Sequence, residues 1–575
     1  MSAEKKLTGF PSIDKPWLDK YPEFVFLHRK TYNSIFEKLN AVWTDSHETI
    51  INFYDTNIST EVFFASVEKV KKSLYAIGVK AGQSIAVSLE SVPEFLYLFL
   101  ACEQIGCSLK NYTESIFDGH GLIDACTADI YITQDYISQA EVEFVYGNTH
   151  IKRIVLVDPF FSATNTAGIR AQIRANVEER YAGTLSHDER NITWKDFLEF
   201  GESVTSVPVS STNNILFSAF TSGTSGEPKE VLHTSESLMG VINQLAMFPS
   251  HEKGNDTWLL TILPPTLVAV VVAMMFYPLA DGKQVILDPF CKVEDLDQEM
   301  MHYKPNCWGL VPAFFNALLE SDRIPDNFDM SFFKLFGFGA EPMTHKFIAR
   351  VQEFLDKHNC QAPFSSGYGQ SEGGSDFTVC IGREMIASGS AGMPLIDTTI
   401  SIFAPGTTQE LPYGQIGEVC KLGPGIMVGY SDPEKTKEVL KLHEDGQIWL
   451  HTGDYGFMIP EGLLFVLGRT GIHTCTGQTV YPLGIENKVL TYPGIKEAIV
   501  VSGKDTDHSG FDSPYLFIVP YSMLDTEALI SGLKAHIAAV LSEEEQPKEI
   551  YIIDRKPINH FKTDRRFLQK EYNLV

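Results

Sequence analysis

The chain has 575 residues, too many for one compact core, and this length indicates about three or four folding units. Hydrophobic residues make up 44% of the chain and charged residues 21%, which excludes a disordered or fibrous protein. The 73 acidic side chains outnumber the 46 basic ones and give a formal net charge of −27, so the surface repels nucleic-acid phosphates and anionic lipid. Nucleic-acid binding is therefore not expected.

In the first two-thirds of the chain, short apolar runs typical of buried strands alternate with helical patterns. A predicted strand at 84–89 precedes an apolar helix at 92–105, and further strands are predicted at 153–157 and 284–287. Such alternation is typical of a parallel sheet wrapped by helices.

The uncharged stretch 258–280 has the length of a membrane span. Prolines at 264, 265 and 278 interrupt it, which favours a strand, a turn and a short buried helix instead. The first residues contain no apolar run of the kind found in signal peptides. Nine scattered cysteines without a CxxC pair are typical of reduced thiols. We therefore expect a soluble cytoplasmic protein with no transmembrane segment.

The pattern of predicted strands and helices changes twice in the last third of the sequence. Between about 388 and 466, strands punctuated by Gly and Pro predict a small β-subdomain. Beyond residue 468, predicted strands at 498–501, 515–519 and 550–553 accompany a helix near 525–541. That helix has one apolar face, formed by Leu529, Leu533, Ile537 and Val540.

The predicted fold class is therefore α/β. A large N-terminal domain at 1–467 contains parallel sheets wrapped by helices and the β-subdomain at about 388–466. A small mobile α+β C-terminal domain follows at 468–575. Gly468 and Gly471 lie at the join, where their conformational freedom can serve as a hinge.

The segment 220–229 combines hydroxyls, glycines and a lysine in a way that suits a phosphate. Glycines let the backbone approach an anion, hydroxyls and exposed N–H groups form a nest, and the lysine adds a point charge. It is not a Walker A sequence, and by composition alone an ordinary surface loop is the better interpretation. The segment nevertheless resembles the phosphate loop of the adenylate-forming (AMP-binding) superfamily, which includes acyl-CoA synthetases, amino-acid adenylation domains and luciferases. The residues that carry the resemblance are Thr221, Ser222, Gly223, Thr224, Ser225, Gly226 and Lys229.

Six further blocks resemble motifs of that superfamily in the same order, so the resemblance covers roughly residues 80 to 575. They are Gly339-Ala340-Glu341-Pro342-Met343, Tyr368-Gly369-Gln370-Ser371-Glu372, Gly417-Glu418-Val419 through Gly429-Tyr430, Thr452-Gly453-Asp454, Gly468-Arg469 with Gly477, Pro482 and Glu486, and the segment 557–565 around Lys562.

The resemblance implies an enzyme that uses ATP, Mg²⁺ and a thiol acceptor, which is coenzyme A or a phosphopantetheinyl carrier protein. It implies that the phosphate-loop residues and Lys229 hold the β- and γ-phosphates. The nucleotide would also contact Asp454 and Arg469 at the ribose, and Gly339, Ala340, Glu341, Tyr368, Gly369 and Gln370 on the adenine side. Glu372 is implied as the Mg²⁺ ligand, and Lys562, Glu372 and Ser371 as catalytic residues. These residue types suit the reaction, because attack on the α-phosphorus builds negative charge that cations stabilise.

Several positions depart from the superfamily pattern. Glu230 follows the loop lysine where a glycine is usual, and Phe561 precedes Lys562 where another glycine is usual. The stretch 469–477 is one residue short and lacks the usual charged hinge residue. His233 and His451 lie close to motifs, but we interpret both as structural histidines.

The absence of an acidic residue from the stretch 263–269 predicts the class of substrate. Amino-acid-activating relatives carry an aspartate where this chain has the acid-free stretch 263–269, and a buried ammonium without a counter-charge is costly. An apolar acyl or aryl carboxylate is favoured, with a pocket formed by helix 267–276 and segments 308–312 and 336–339, although this helix can equally be plain core. Two functions follow: an AMP-forming acid–thiol ligase, which uses coenzyme A or loads a separate carrier protein, or a nucleotide-binding regulatory member without full turnover.

Overall fold

The computed structural model describes residues 7–26, 31–44, 46–111, 123, 126–181, 183–210, 213–222, 228–246, 256–380, 382–469, 471–521, 526–559 and 562–574. Four of the predicted phosphate-loop residues, Gly223, Thr224, Ser225 and Gly226, lie outside this set, and so does Phe561. Within those ranges, none of the helices combines the length and the apolar character needed to cross a membrane.

A nine-stranded sheet forms half of the framework of the N-terminal part. Six central strands run parallel, and antiparallel strands complete both edges. In spatial order the strands are Met393–Pro394, Ser375–Cys380, Phe364–Gln370, Leu335–Phe338, Cys307–Leu310, Thr257–Thr261, Gln284–Asp288, Thr49–Phe53 and Thr56–Ser59.

An eight-stranded sheet forms the other half. Six strands are again parallel, whereas Pro228–Thr234 runs antiparallel beside Ile215–Ser222, the strand that precedes the predicted phosphate loop in the chain. In spatial order the strands are Gly429–Tyr430, Pro228–Thr234, Ile215–Ser222, Ser108–Asn111, Ser84–Ser88, Ile130–Gln134, Arg153–Val157 and Asn191–Thr193.

Helices pack on these sheets because their apolar faces must be buried. The helix Pro93–Ile105 is buried at all 13 positions, and its Phe99 contacts Phe217 of the eight-stranded sheet and Phe276. The α-helices are Pro11–Asp14, Ile35–Trp43, Thr60–Ala76, Pro93–Ile105, Gln139–Asn148, Ala171–Glu178, Trp194–Phe200, Ser235–Leu245, Tyr277–Ala280, Leu296–Tyr303, Pro312–Leu319, His345–Lys357, Arg383–Ala387, Pro433–Val439, Pro482–Val489, Thr526–Val540 and Arg565–Glu571.

The uncharged stretch 258–280 folds as a strand, a turn and a helix, as predicted. The strand Thr257–Thr261 ends before the two prolines, and the helix is π-helical over Val270–Phe276 before it continues as Tyr277–Ala280. Most of the π-helical side chains are buried in the main core, whereas Ala273 and Met274 are only partly buried.

An antiparallel five-stranded sheet forms the β-subdomain. Its strands are Thr399–Phe403, Gly417–Leu422, Ile448–Met458, Leu440–Leu442 and Leu464–Gly468. The C-terminal part contains the three-stranded sheet Ile495–Lys504, Asp512–Pro520 and Ile550–Ile552, and the two-stranded sheets Ile472–His473 with Thr479–Val480 and Ile558–Asn559 with Lys562–Thr563.

The parts before and after residue 468 have separate hydrophobic cores. Leu533 and Ile537 of helix Thr526–Val540 are buried in the C-terminal core, as the predicted apolar face requires. Among the described residues, no hydrophobic cluster takes side chains from both sides of residue 468. The predicted α/β fold class is confirmed, while the domain boundaries at 467 and 468 stay a prediction.

Candidate active site

The lysine of the predicted phosphate loop lies beside the predicted metal ligand. Lys229 Nζ is 5.2 Å from the centre of the Tyr430 ring. The Tyr430 hydroxyl donates a hydrogen bond of 2.8 Å to Glu372 Oε1. The strands Pro228–Thr234 and Gly429–Tyr430 are antiparallel neighbours, so the sheet itself brings this lysine and tyrosine together. Thr221 is paired with Lys229 across the hairpin.

Two buried basic side chains hold the short turn Ser371–Gly373 that carries Glu372. His233 bonds through Nε2 to the Ser371 carbonyl at 2.7 Å and through Nδ1 to the Ser237 hydroxyl at 3.0 Å. Burial lowers the pKa of His233 to about 4, so the ring is neutral. Lys421 Nζ donates to the Gly373 carbonyl at 2.8 Å. Burial lowers the pKa of Lys421 to about 7. Both contacts fix the backbone on either side of Glu372.

Three side chains donate to Asp454, the predicted ribose ligand. Its Oδ2 accepts hydrogen bonds from the Tyr368 hydroxyl at 2.7 Å and from Gln370 Nε2 at 2.6 Å, and its Oδ1 accepts one from Arg469 Nε at 3.0 Å. Asp454 is buried, whereas the Arg469 side chain is 43% exposed. Each carboxylate oxygen has two lone pairs, so Oδ2 is saturated, and among the described residues one acceptor position remains on Oδ1.

The backbone that presents Asp454 is held by a histidine–carboxylate chain. Gly453 has a φ of +71° and donates its N–H to Glu418 Oε1 at 3.1 Å. The second Glu418 oxygen lies 2.8 Å from Nδ1 of buried His451, and Nε2 of that ring lies 2.9 Å from Nε2 of His443. Both ring nitrogens of His451, like those of His233, are thus occupied, as expected of structural histidines.

Two backbone features shape the adenine side of the predicted site. Gly369 sits so close to the neighbouring strand that a Cβ there would lie 1.7 Å from the Ser375 carbonyl oxygen, which only glycine avoids. Ala340, just after Gly339, has a φ of +78°. This conformation costs a residue with a Cβ about 1–3 kcal/mol. Ala340 immediately precedes Glu341, whose side chain points towards the C-terminal part.

Lys562 is directed towards these groups although it belongs to the C-terminal part. Its side chain is exposed, but nearby protein partly desolvates the ammonium and lowers its pKa below the ordinary value, and the Arg469 cation lowers the pKa further. The carboxylates of Glu341, Asp454 and Glu372 act in the opposite sense. A cavity of about 270 Å³ borders Lys562 and Glu341.

Glu230, the unusual residue after Lys229, faces away from the site. Consecutive side chains of a strand point to opposite faces. Lys229 therefore faces Tyr430, whereas Glu230 Oε1 lies 2.8 Å from Nζ of Lys110 on the far face. The Glu230 and Lys110 side chains are only 6% and 13% exposed. The negative charge of Glu230 is thus neutralised within the sheet.

The two glycines at the predicted hinge differ in their surroundings. Gly468 has a φ of +123° and open space where a Cβ would project. Gly471 is packed against strand Thr479–Val480, and a Cβ there would lie 2.2 Å from Thr479 Cγ2. Of these two glycines, Gly468 is the one with a left-handed backbone, and no described atom lies within 4 Å of the place where a Cβ would project.

Sequence reasoning gave no role to several residues that hold the site together. Tyr430 and Lys421 both lie within the matched block from Gly417 to Tyr430, and this membership was the available signal for both. Glu418 was quoted in the same block without a function. Lys110 carried no signal, since its partner Glu230 is 120 positions away.

Comparisons with known proteins agree with this geometry. The family model described as AMP-binding enzyme matches residues 41–431, more than half of the chain. The chain therefore belongs to the AMP-binding enzymes, as the resemblance to the adenylate-forming superfamily predicted. It is an enzyme of the AMP-forming acid–thiol ligase type, and it activates a carboxylic acid with ATP.

Similar proteins cover nearly the whole chain. A 4-coumarate–CoA ligase of Vanilla planifolia is 26% identical over 80% of this chain and 79% of its own length. A second one, from Narcissus pseudonarcissus, is 26% identical over 86% and 84% of the two chains. The crystal structure of an anthranilate CoA ligase in complex with anthranoyl-AMP has a TM-score of 0.78 and 17% identity, and covers 94% of this chain and 98% of its own. A benzoate CoA ligase from Burkholderia xenovorans has a TM-score of 0.74 at 16% identity, with 93% and 99% covered. The two structures share the fold with this chain.

Proposed function

We propose that this enzyme converts an apolar acyl or aryl carboxylic acid to its adenylate and then transfers the acyl group to coenzyme A. The observation that carries the proposal is the proximity of charged side chains from five separate segments. These side chains are Lys229, Glu372, Asp454, Arg469 and Lys562.

The first half-reaction joins the acid to AMP. A carboxylate oxygen attacks the α-phosphorus of ATP, the bond to the β-phosphate oxygen breaks, and pyrophosphate leaves. Negative charge that grows on the phosphoryl oxygens is stabilised by Lys562 and Arg469, while Lys229 holds the outer phosphates. The remaining acceptor position of Asp454 binds a ribose hydroxyl.

The second half-reaction consumes the adenylate. A thiolate sulfur attacks the acyl carbon, the bond to the phosphate oxygen breaks, and AMP leaves as the thioester forms. This step needs no charge over the α-phosphorus but needs a path for the thiol, so Lys562 has to withdraw with the C-terminal part.

Glu372 is suited to hold Mg²⁺. Its Oε1 accepts the Tyr430 hydrogen bond, and no described residue donates to its second carboxylate oxygen, which suits a hard divalent cation. When bound, Mg²⁺ neutralises charge on the phosphates. His233 and Lys421 keep the turn around Glu372 rigid by binding the carbonyls on both sides of it.

The surroundings of the helix after the two prolines favour an apolar acid. Leu267 is 38% exposed, and the partly buried Met274 covers Gly309, where a Cβ would lie 3.1 Å from the methionine methyl group. The residues from 263 to 280 contain no acidic side chain that could pair with an ammonium. An α-amino acid would therefore leave a buried charge without a partner.

Coenzyme A is favoured over a carrier protein because the similar proteins are named as CoA ligases. A nucleotide-binding subunit without turnover is disfavoured, since Glu230 is paired with Lys110 and does not oppose the phosphates.

Pyrophosphate exchange with a panel of aryl, acyl and amino acids tests the proposal, followed by thioester detection with coenzyme A or with a pantetheinylated carrier protein. We expect exchange with aryl or acyl acids and thioester formation with coenzyme A. Exchange that is fastest with an amino acid would overturn the substrate class. Thioester only on the carrier protein would make the enzyme a carrier-loading one, and ATP binding without any exchange would support the regulatory alternative.

A further inference from the structure

Glu341 joins the nucleotide side of the cleft to the segment that carries Lys562. Its Oε2 accepts two hydrogen bonds from Thr563, one from the backbone N–H at 3.2 Å and one from the side-chain hydroxyl at 2.9 Å. Its Oε1 lies 3.7 Å from Nζ of Lys556, in the same C-terminal segment. Glu341 is only 10% exposed, and among the described residues Oε1 accepts no hydrogen bond. The hydrogen bonds that hold the carboxylate in place therefore come from Thr563.

We propose that Glu341 is a positioning residue that clamps Lys562 in the adenylating orientation and has to release Thr563 before the thiol step. The proposal rests on the function proposed above. Lys562 and Thr563 form a two-residue strand, in which neighbouring side chains point to opposite faces. Holding Thr563 by both its backbone and its side chain therefore fixes the direction of Lys562.

The left-handed backbone at Ala340 supports this role. Its φ of +78° is unusual for a residue with a Cβ, and such conformations persist where the surroundings enforce them. Here the strained residue directly precedes Glu341 and aims its side chain at the C-terminal part. Other polar contacts also join the two parts. Lys346 Nζ donates to the Ile495 carbonyl, and Arg469 donates to Asp454. Lys496 pairs with half-exposed Glu320 at 2.6 Å, and Asn487 accepts the N–H of His345 at 2.9 Å.

Measuring the two half-reactions separately distinguishes a clamp at Glu341 from a structural or nucleotide-binding role. We expect Glu341→Ala to slow single-turnover pyrophosphate release about 10- to 100-fold, the effect of losing hydrogen bonds to a carboxylate. Transfer from a supplied acyl-adenylate to coenzyme A stays within about threefold of the parent. Thr563→Val lowers the rate of adenylate formation only. The double variant Glu341→Ala/Thr563→Val forms the adenylate no more slowly than Glu341→Ala does. Glu320→Ala, the matched control at the periphery, changes both steps by less than about twofold.

The outcomes that overturn the proposal are distinct. Equal losses in both half-reactions would make Glu341 merely structural. A weaker ATP affinity that accounts for the whole loss would make it a nucleotide ligand. A rate of adenylate formation in Glu341→Ala within twofold of the parent would show that Glu341 has no role in this step.

A second measurement works even if no acid is turned over. Spin labels at Lys357→Cys and Lys534→Cys, in a Cys475→Ser background, report the distance between the two parts by pulsed electron resonance. Both lysines are exposed, and Cys475 is the exposed one among the free cysteines. Glu341→Ala is expected to broaden the distance distribution of the labelled full chain, whereas Glu320→Ala leaves it unchanged. A distribution unaffected by Glu341→Ala would refute the clamp. No turnover combined with a broadened distribution would refute only the proposed function.

Discussion

The pairing of Glu230 with Lys110 makes a prediction that opposes simple reasoning from the superfamily. Replacing Glu230 by the usual glycine would be expected to improve the phosphate site if the carboxylate repelled ATP. In the structure the Glu230 carboxylate lies on the face of the strand opposite Lys229. Its Oε1 is 2.8 Å from Lys110 Nζ, and both side chains are nearly buried. Glu230→Gly therefore leaves a buried ammonium without its partner.

The magnitude follows from burial. Removing one partner of a buried ion pair costs about 3–5 kcal/mol, whereas replacing both by apolar residues of similar volume is neutral or stabilising. We expect Glu230→Gly to lower the free energy of unfolding of the N-terminal part by about this amount. The double variant Lys110→Met/Glu230→Leu restores it. Glu434→Ala, which breaks the exposed pair with Lys437, changes it by less than about 1 kcal/mol.

Calorimetry measures the stability, and titration with ATP measures the affinity. ATP binding by the double variant is expected to stay within about threefold of the parent, because Lys229 is unaffected on the other face. A Glu230→Gly protein that keeps its stability and binds ATP about tenfold more tightly would refute the reasoning.

Further predictions concern nucleotide binding and the two half-reactions. Lys562→Ala is expected to slow adenylate formation about 10³-fold at unchanged ATP affinity, since an ammonium about 4 Å from a phosphoryl charge contributes about 4 kcal/mol at an effective dielectric constant of 20. Because the pKa of Lys562 is lowered from 10.5, the parent loses adenylation as the pH rises through a value below 10.5, and Lys562→Arg moves this loss upward. Tyr368→Phe frees an acceptor position on Asp454 and keeps ATP affinity within about threefold, whereas Asp454→Asn weakens it at least about tenfold. Gly468→Ala is expected to slow adenylation but not transfer from a supplied adenylate, because alanine resists a φ of +123°.

Each of these has its measurement and its contrary result. Single-turnover rates with Lys562→Ala near those of the parent would remove Lys562 from the chemistry. An alkaline limb that stays in place in Lys562→Arg would assign it to another group. ATP titrations in which Tyr368→Phe and Asp454→Asn weaken binding equally would show that the tyrosine contributes as much to nucleotide binding as the aspartate. If Gly468→Ala slowed adenylation and thioester formation by the same factor, or slowed neither, the pivot would lie elsewhere.

Much of the fold could be predicted because its signals are local. The strand Arg153–Val157 and the helix Pro93–Ile105 follow from short apolar runs and helical periodicity, and the apolar face of Thr526–Val540 from spacing alone. The π-helical form of Val270–Phe276 could not be read from the sequence, since helical periodicity there is masked by uniform apolarity. The roles predicted for the site residues stay predictions. Residues 223–226 of the predicted phosphate loop lie outside the described residues.

The contacts that hold the site together were less accessible, because they join distant segments. Glu341 and Thr563 are 222 positions apart, and only the arrangement of the two parts brings them together. Likewise, Tyr430 meets Glu372 because one short edge strand pairs with the phosphate-loop hairpin. A motif gives the type of side chain, whereas its partner depends on register and on the face of the strand.

The interface around Lys562 is polar, and this has a consequence for turnover. No hydrophobic cluster of described residues spans residue 468. The two parts meet through hydrogen bonds and ion pairs such as those of Glu341 with Thr563 and of Lys496 with Glu320, together with one contact between the Tyr455 and Tyr481 rings. Water can replace such contacts at little net cost, whereas a buried apolar interface would oppose separation with about 25 cal/mol for every Å² exposed. An enzyme that must hold Lys562 over the phosphate and then withdraw it needs the first kind of interface. The clamp at Glu341 supplies the direction of Lys562, and the absence of a shared core among the described residues allows its release.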